Sequence, residues 1–279
     1  MTEYANPDRL VTVDELDERR GDDDVAVLEV DVDTTLYEKG HVPEAVGWSW
    51  TEDLNHPVRR DIVSAESFET LAQQAGIDDD TTVLLYGDNH NWFAAFALWV
   101  FEVYGHDDVA LVDGGRDAIT RSHIELTTET PEPAEGSFTV TETREELRAT
   151  RDEVLAAVDE GRENFIDVRS SEEFSGELVA PPDLDETAQR GGHIPGATNV
   201  TWSEAVDRDG TFRPREELEQ LYGPVLDQEG TIAYCRIGER SAHSWFVLRH
   251  LLGDDEARNY DGSWTEYGNL IGVPVETGE

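Results

Sequence analysis

The chain has 279 residues, with 63 acidic against 21 basic side chains and a formal net charge of −42. Nucleic acid and anionic membranes are repelled by such a surface and are not expected as partners. A hydrophobic content of 38% with seven Trp, eight Tyr and nine Phe excludes a disordered acidic chain and reads as a folded protein inside an acidic shell.

From the N-terminus, no basic segment leads into an apolar run, so no secretory leader is expected and the assigned compartment is the cytoplasm. A helix is expected around Val13–Arg19 and a strand at Val25–Asp31. Gly40-His41-Val42-Pro43-Glu44-Ala45 marks a turn into a strand near Val46–Trp50. The next helix runs from Ser64 through Ala75 and stops at Gly76, and the apolar run Thr82–Tyr86 is a buried strand. Trp92 to Tyr104 is a buried helix. Its apolar core, Trp92 to Phe101, is too short to span a bilayer and is followed by Glu102. Val109–Val112 is a strand ending at Asp113-Gly114-Gly115. Apolar strands alternating with helices indicate an α/β fold, a parallel sheet with helices on both faces.

Leu126 to Thr139 is rich in Pro, Thr and Glu without apolar periodicity, and reads as an exposed linker between domains at 1–125 and 141–279, with 126–140 as its span. Thr143-x-x-Glu146 has a capping-box pattern and is expected to begin a helix. The second half then repeats the first. Phe165–Val168 is a strand. Gly192-His193-Ile194-Pro195-Gly196-Ala197 echoes the turn at Gly40 with an offset of 152, and Asp261-Gly262 echoes Asp113-Gly114 with an offset of 148. At that second offset Tyr234 falls on Tyr86 and Gly253 on Gly105. The insertion Ser175–Arg190 has no counterpart in the first half.

The chemistry is expected at Tyr234-Cys235-Arg236-Ile237-Gly238-Glu239-Arg240-Ser241, which holds the only cysteine in the chain. One cysteine excludes an intrachain disulfide and a multi-cysteine metal site, and suits a reducing compartment. Gly230–Tyr234 reads as a short strand, and Trp245, Leu248 and Leu252 have helical spacing, so the thiol sits at a strand-to-helix turn. There the free N–H groups of the helix, together with Arg236 and Arg240, are expected to lower its pKa and favour the reactive thiolate. The alternative is a small buried core residue. In the first copy the cysteine falls on Gly87 or Asp88, and that loop lacks both arginines, so the second domain is expected to hold the reactive group.

Asp167-Val168-Arg169 followed by Glu173-Phe174, the Gly192–Ala197 turn, the Cys235–Ser241 loop and Asp261-Gly262-Ser263-Trp264 together resemble the tandem rhodanese family of thiosulfate sulfurtransferases. The resemblance covers most of the chain. It implies two tandem rhodanese-like domains and a Cys235 thiolate that takes the outer sulfur of thiosulfate as a persulfide, releases sulfite, and passes the sulfur to cyanide or a thiol. It implies neither metal nor organic cofactor. The backbone N–H groups of Arg236, Ile237, Gly238, Glu239, Arg240 and Ser241 are expected to converge on the terminal sulfur. Arg236 is expected to meet the dianionic donor at the mouth, Arg240 to hold donor or loop, and Arg169 to face the pocket or pair with a local carboxylate such as Glu172. Glu239 is expected to point to solvent, and Asp167 to organise the wall. His243 and His193 are read as packing residues, and Tyr234 and Trp264 as wall or core.

Three other activities use a comparable cysteine loop. Tyrosine phosphatases and the related cell-cycle phosphatases place five residues between cysteine and arginine, whereas four separate Cys235 from Arg240 here, which encloses a smaller anion site. A 3-mercaptopyruvate sulfurtransferase is the second; that subgroup has a small residue after the cysteine, where this chain has Arg236. A persulfide carrier working with a partner protein would use the same loop.

Overall fold

The computed structural model describes residues 3–161, 164–181, 187–226 and 230–278. They fall into two compact units. The first is Asn6–Arg144 with Arg208–Phe212; the second is Glu145–Asp207 and Arg213–Glu279 with Met1–Ala5.

The first unit runs β1 (Leu10–Val11), α1 (Val13–Arg19), β2 (Val25–Asp31), α2 (Thr35–Lys39), β3 (Val46–Ser49), α3 (Trp50–Asp53), α4 (Ala65–Gln74), β4 (Thr82–Tyr86), α5 (Trp92–Val103), β5 (Val109–Val112) and α6 (Gly115–Arg121). Its sheet has the order β1-β5-β4-β2-β3 with parallel pairings. Because side chains alternate along a strand, each strand feeds two cores. Val27, Leu84, Tyr86, Ala110 and Val112 pack on one face with Leu16 of α1 and Ile119 of α6. On the other face Trp48 stacks on Phe101 of α5 and meets Phe68 of α4 edge-on. The stretch read as a linker runs along this unit: Phe138 is buried against Phe68 and Phe101, and its N–H donates to the Ile77 carbonyl.

The second unit runs α7 (Arg151–Glu160), β6 (Asn164–Asp167), α8 (Ser171–Ser175), β7 (Thr198–Asn199), α9 (Arg215–Leu226), β8 (Thr231–Tyr234), α10 (Glu239–Phe246), β9 (Arg258–Asn259) and α11 (Ser263–Tyr267). Its sheet, β7-β6-β8-β9, is also parallel. Phe165, Ile232 and Tyr234 pack with Val154 of α7 and with Trp264 and Tyr267 of α11. α10 runs on into a π-helical stretch, Val247–Leu252. The helix expected from the Thr143-x-x-Glu146 pattern is a single 3-10 turn at Glu145–Leu147. The working capping box lies at Thr150, whose hydroxyl accepts from the Glu153 N–H while Glu153 accepts from the Thr150 N–H. Local pattern cannot choose between two such boxes; Ala149, whose N–H is spent on the Asn259 carbonyl, ties the chain down just before the second one. Of the insertion Ser175–Arg190, residues 182–186 lie outside the described residues.

The duplication is visible in hydrogen bonds. Tyr86 opposes Glu29 across the first sheet, as Tyr234 opposes Asp167 across the second. The Tyr86 hydroxyl accepts from the Val42 N–H at 3.0 Å and the Tyr234 hydroxyl from the Ile194 N–H at 3.1 Å. His41 stacks on Tyr37 and His193 on Phe174, with ring centroids 3.8 and 3.6 Å apart. Both histidines are therefore turn-packing residues. Where the repeat would place a thiol in the first unit, Gly87 leaves no room: a Cβ there would stand 2.2 Å from the Val30 carbonyl oxygen.

Among the described residues no helix is long and apolar enough to cross a membrane.

Candidate active site

β8 ends at Tyr234, and the chain turns through Cys235-Arg236-Ile237-Gly238 into α10. The turn depends on Gly238, which has φ +104° and acts as the helix N-cap. A Cβ at this position would approach the Asp261 Cα at 2.8 Å and its Cβ at 2.9 Å, so backbone angle and space both require glycine. From the far side the start of α11 closes the loop. The Trp264 N–H donates to the Cys235 carbonyl and the Thr265 N–H to the Arg236 carbonyl, both at 3.0 Å. Ser263, held at φ +52°, accepts from the Cys235 N–H at 3.0 Å and donates to the Tyr260 carbonyl at 2.7 Å. In the sequence Ser263 is visible only as part of the Asp261–Trp264 motif, with no signal for this task.

The fold seats the Cys235 sulfur, fully buried, inside this loop. The Gly238 N–H donates to Sγ at 3.1 Å. The S–H in turn donates to Oε2 of Glu239 at 3.3 Å. Glu239 was expected to face solvent; it is 3% exposed and lies over the thiol. The reason is the left-handed bend at Gly238, which folds the first residue of α10 back onto the residue four positions earlier. Neighbouring Ser241, also buried, places its hydroxyl 3.1 Å from the Gly238 carbonyl and 2.7 Å from Asn259 Oδ1, which locks the helix start.

The thiol was expected to be acidified. In this structure burial pushes it up, the Glu239 carboxylate adds to that, and Arg240 and Ser241 pull back without reversing it. Burial disfavours the charged form more than one neighbouring guanidinium restores it. Arg240 is itself shared. Its Nη atoms reach both oxygens of Glu173 at 3.0 and 3.4 Å, and its Nε lies 3.6 Å from Glu239 Oε1. Burial opposes ionisation of Glu173, but the Arg240 and Arg169 guanidinium groups hold its carboxyl below the usual range. Glu173, quoted as a motif residue, is thus the anchor that positions Arg240.

Arg169 pairs with Asp167 instead of Glu172. Its Nε lies 2.9 Å from Asp167 Oδ1 and its Nη2 2.5 Å from Oδ2, while Nη2 also donates to the Gly192 carbonyl at 2.7 Å. The guanidinium lies 4.8 Å from the Trp264 ring centroid and 5.9 Å from that of Tyr234, so these rings form the wall around it. Glu172 instead lines a surface cleft of about 450 Å³ with Ser175, Glu177 and Asn199. Arg236 and Ile237 are both mostly buried in the loop, Arg236 more deeply than an open mouth would suggest. His243 is buried on α10 with its ring edge-on to Trp202 at 5.7 Å, a packing role. Among the described residues no group of three or more His, Cys, Asp or Glu is placed to hold a metal ion.

The structure therefore brings Cys235, Arg240, Glu239, Gly238 and Ser241 together and pins Arg169 just beyond the end of β6. In chemical terms it is a thiol with a backbone donor on one side, a carboxylate acceptor on the other, and a guanidinium behind.

Comparison with known proteins shows the family. The family model for the rhodanese-like domain matches residues 12–122 and 150–270. A Saccharopolyspora erythraea protein named "Putative thiosulfate sulfurtransferase" is 53% identical over 96% of this chain and 95% of its own length. A Thermus thermophilus protein named "Sulfur carrier protein TtuD" is 49% identical over 99% of both. The crystal structure of SseA from Escherichia coli, described with the rhodanese fold of 3-mercaptopyruvate sulfotransferases, superposes with a TM-score of 0.77 at 26% identity, over 92% of this chain and 98% of that one. The duplicated parallel sheets, the turn-packing histidines and the cysteine loop carried by the second copy alone are those of a protein that belongs to the rhodanese-like family, with two such domains in tandem.

Proposed function

We propose that the protein is a thiosulfate sulfurtransferase that carries sulfane sulfur on Cys235. The Cys235 thiolate attacks the outer sulfur of thiosulfate, the donor S–S bond breaks, and sulfite leaves with the bonding pair. The persulfide then gives its outer sulfur to cyanide or a thiol, and the cysteine returns as thiolate. The scheme calls for neither metal nor organic cofactor.

The observation that carries this reading is the seat of Sγ, with the Gly238 N–H at 3.1 Å and Arg240 beside it. A backbone donor stabilises the negative sulfur both as thiolate and as persulfide. Arg240 has its fork engaged by Glu173, so it supplies fixed positive potential from behind. Arg236, in the loop itself, is assigned to the sulfonate end of the donor. Arg169, clamped by Asp167, holds the wall of the site in place.

Two finer points separate this reading from its neighbours. Arg236 directly after the cysteine suits a dianion, which favours thiosulfate over 3-mercaptopyruvate as donor. The relationship to a protein named as a sulfur carrier supports a second reading, in which the persulfide is handed to a protein partner. The test is thiocyanate formation from thiosulfate and cyanide in concentrated KCl, with 3-mercaptopyruvate as the competing donor. The wild type turns over fastest with thiosulfate, and Cys235→Ser makes no thiocyanate. Faster turnover with 3-mercaptopyruvate overturns the donor assignment. Stoichiometric persulfide with little turnover favours the carrier.

A further inference from the structure

We infer that Glu239 is the proton acceptor for Cys235, taking the thiol proton as the sulfur attacks its donor and returning it when the persulfide is discharged. The inference rests on the sulfurtransferase reading for the step it serves, but not for the proton transfer itself.

The geometry comes first. Glu239 Oε2 lies 3.3 Å from Sγ, within reach of an S–H donor, and both side chains are shielded from water. Ser241 and Ser263 also bring hydroxyls near the sulfur, Ser263 at 3.9 Å. The Ser263 hydroxyl accepts from the Cys235 N–H and gives its hydrogen to the Tyr260 carbonyl, the Ser241 hydroxyl is held by the Gly238 carbonyl and Asn259 Oδ1, and a neutral hydroxyl is a far weaker base than a carboxylate. His243, which shares α10 with Glu239, is turned edge-on to Trp202.

Charge gives the second argument. An ionised carboxylate beside a site for a dianionic donor repels both donor and thiolate. Transfer of the proton removes that repulsion: thiol with carboxylate becomes thiolate with carboxylic acid, and the total charge of the pair is unchanged. The negative charge moves onto the sulfur, where the Gly238 N–H already points. Burial makes ionisation of the thiol to bulk water costly, whereas a local transfer creates no new buried charge.

The atoms balance through the cycle. The S–H bond breaks and an O–H bond forms on Glu239. Sγ bonds the outer sulfur of thiosulfate while the donor S–S bond releases sulfite with its electron pair. Cyanide then bonds the outer sulfur, Sγ leaves with the pair of the persulfide bond, and Sγ recovers the proton from Glu239. The sum is thiosulfate plus cyanide giving sulfite plus thiocyanate.

Four arginines are packed about the pair. Arg240 of α10 binds Glu173 of α8 and also lies 3.6 Å from Glu239 Oε1, the oxygen other than the one that meets the thiol; Arg169 binds Asp167 at the end of β6, Arg148 holds Asp261 before α11, and Arg236 lies in the loop. The pH response of the thiol is therefore read mainly against Glu239.

The experiment compares wild type, Glu239→Gln and Glu239→Asp, with Cys235→Ser as the spectral blank. Thiolate is followed by difference absorbance, reactivity by alkylation with neutral iodoacetamide, and sulfur transfer by thiocyanate formation, each from pH 5 to beyond the raised thiol titration. General acid–base participation is worth about 10²–10⁴-fold. Glu239→Gln is expected to lose about 10²-fold or more in kcat at pH 7, to alkylate more slowly there, and to regain rate as pH passes the thiol titration. Glu239→Asp keeps a rate above that of Glu239→Gln. A glutamine variant that alkylates as fast as wild type or faster at pH 7, with the thiol titrating lower, makes Glu239 a repelling bystander and overturns the inference. The wild type alone gives an independent reading: its alkylation extends below the thiol titration and falls with protonation of a carboxyl, whereas a rate that tracks thiol ionisation alone overturns the inference. If the wild type alkylates in this carboxyl-dependent way yet makes no thiocyanate, the sulfurtransferase reading fails and the proton transfer stands.

Discussion

Gly238→Ala tests the loop geometry most directly. A side chain held at φ +104° is strained by about 1–3 kcal/mol. The new methyl would also stand 2.8, 2.9 and 3.0 Å from the Cα, Cβ and carbonyl oxygen of Asp261. Asp261 has little freedom to retreat, because Arg148 holds both its oxygens at 2.8 and 2.9 Å. Overpacking of this kind adds about 1–3 kcal/mol, so the sum is about 2–6 kcal/mol. Gly161→Ala is the matched control in the same unit, with φ +61° and nothing within 4 Å of the added methyl. It carries only the left-handed penalty of about 1–2 kcal/mol. Urea unfolding followed by tryptophan fluorescence reads both variants, and persulfide formation on Cys235 reads the effect on the sulfur seat. Gly238→Ala is expected to lose more stability than the control and to slow persulfide formation, which Gly161→Ala leaves alone. A midpoint shift no larger than that of Gly161→Ala would refute the argument that Asp261 and the backbone angle jointly demand glycine.

Glu173→Ala leaves the buried Arg240 without its bidentate partner; removal of one member of such a pair costs about 3–5 kcal/mol. The same unfolding assay should show that loss, with sulfur transfer falling as Arg240 loses its anchor on α8, and unchanged stability would count against the pairing. In the first unit, burial pushes Asp31 up to about 7, with Glu29 adding to it, and burial together with Asp31 pushes Asp88 up to about 7. Both folded values lie above the ordinary carboxylate range, so the folded state binds the extra proton and stability falls as pH rises from about 4 to 7, by at most about 1.4 kcal/mol per pH unit for each proton. Asp31→Asn should flatten that slope while the exposed Asp80→Asn does not; equal slopes would refute it. Finally, with a net charge of −42 the fold should lose stability as KCl is lowered, because the screening length grows from about 3 Å at 1 M to about 10 Å at 0.1 M. Equal melting temperatures in dilute and concentrated KCl would contradict this.

Much of the fold was legible because its signals are local. Val25–Asp31, Thr82–Tyr86 and Val109–Val112 are apolar runs bounded by turn residues, and the strands have those bounds. The duplication followed from Gly-His-x-Pro turns whose histidines do the same packing in both units. The site was legible as a list of residues on one loop but not as an arrangement. Glu239 was misplaced because its direction depends on a backbone bend and on Asp261, 22 positions further along the chain. Arg169 chose Asp167 over Glu172 because the end of β6 and the start of α8 send those two carboxylates in different directions. The spacing of Ser263 from Cys235 gives no hint that its hydroxyl receives the cysteine N–H.

Composition, apolar periodicity and the internal repeat were enough to establish two parallel α/β units and to single out the lone cysteine as the candidate reactive group, since each depends on near neighbours along the chain. What the thiol is like chemically was decided by residues that meet only after folding. Burial and the nearby Glu239 raise it, Arg240 is restrained by a carboxylate from α8, and a backbone N–H is aimed at the sulfur. Proton affinity is set by distance and dielectric in space, and neither is written in the order of the residues.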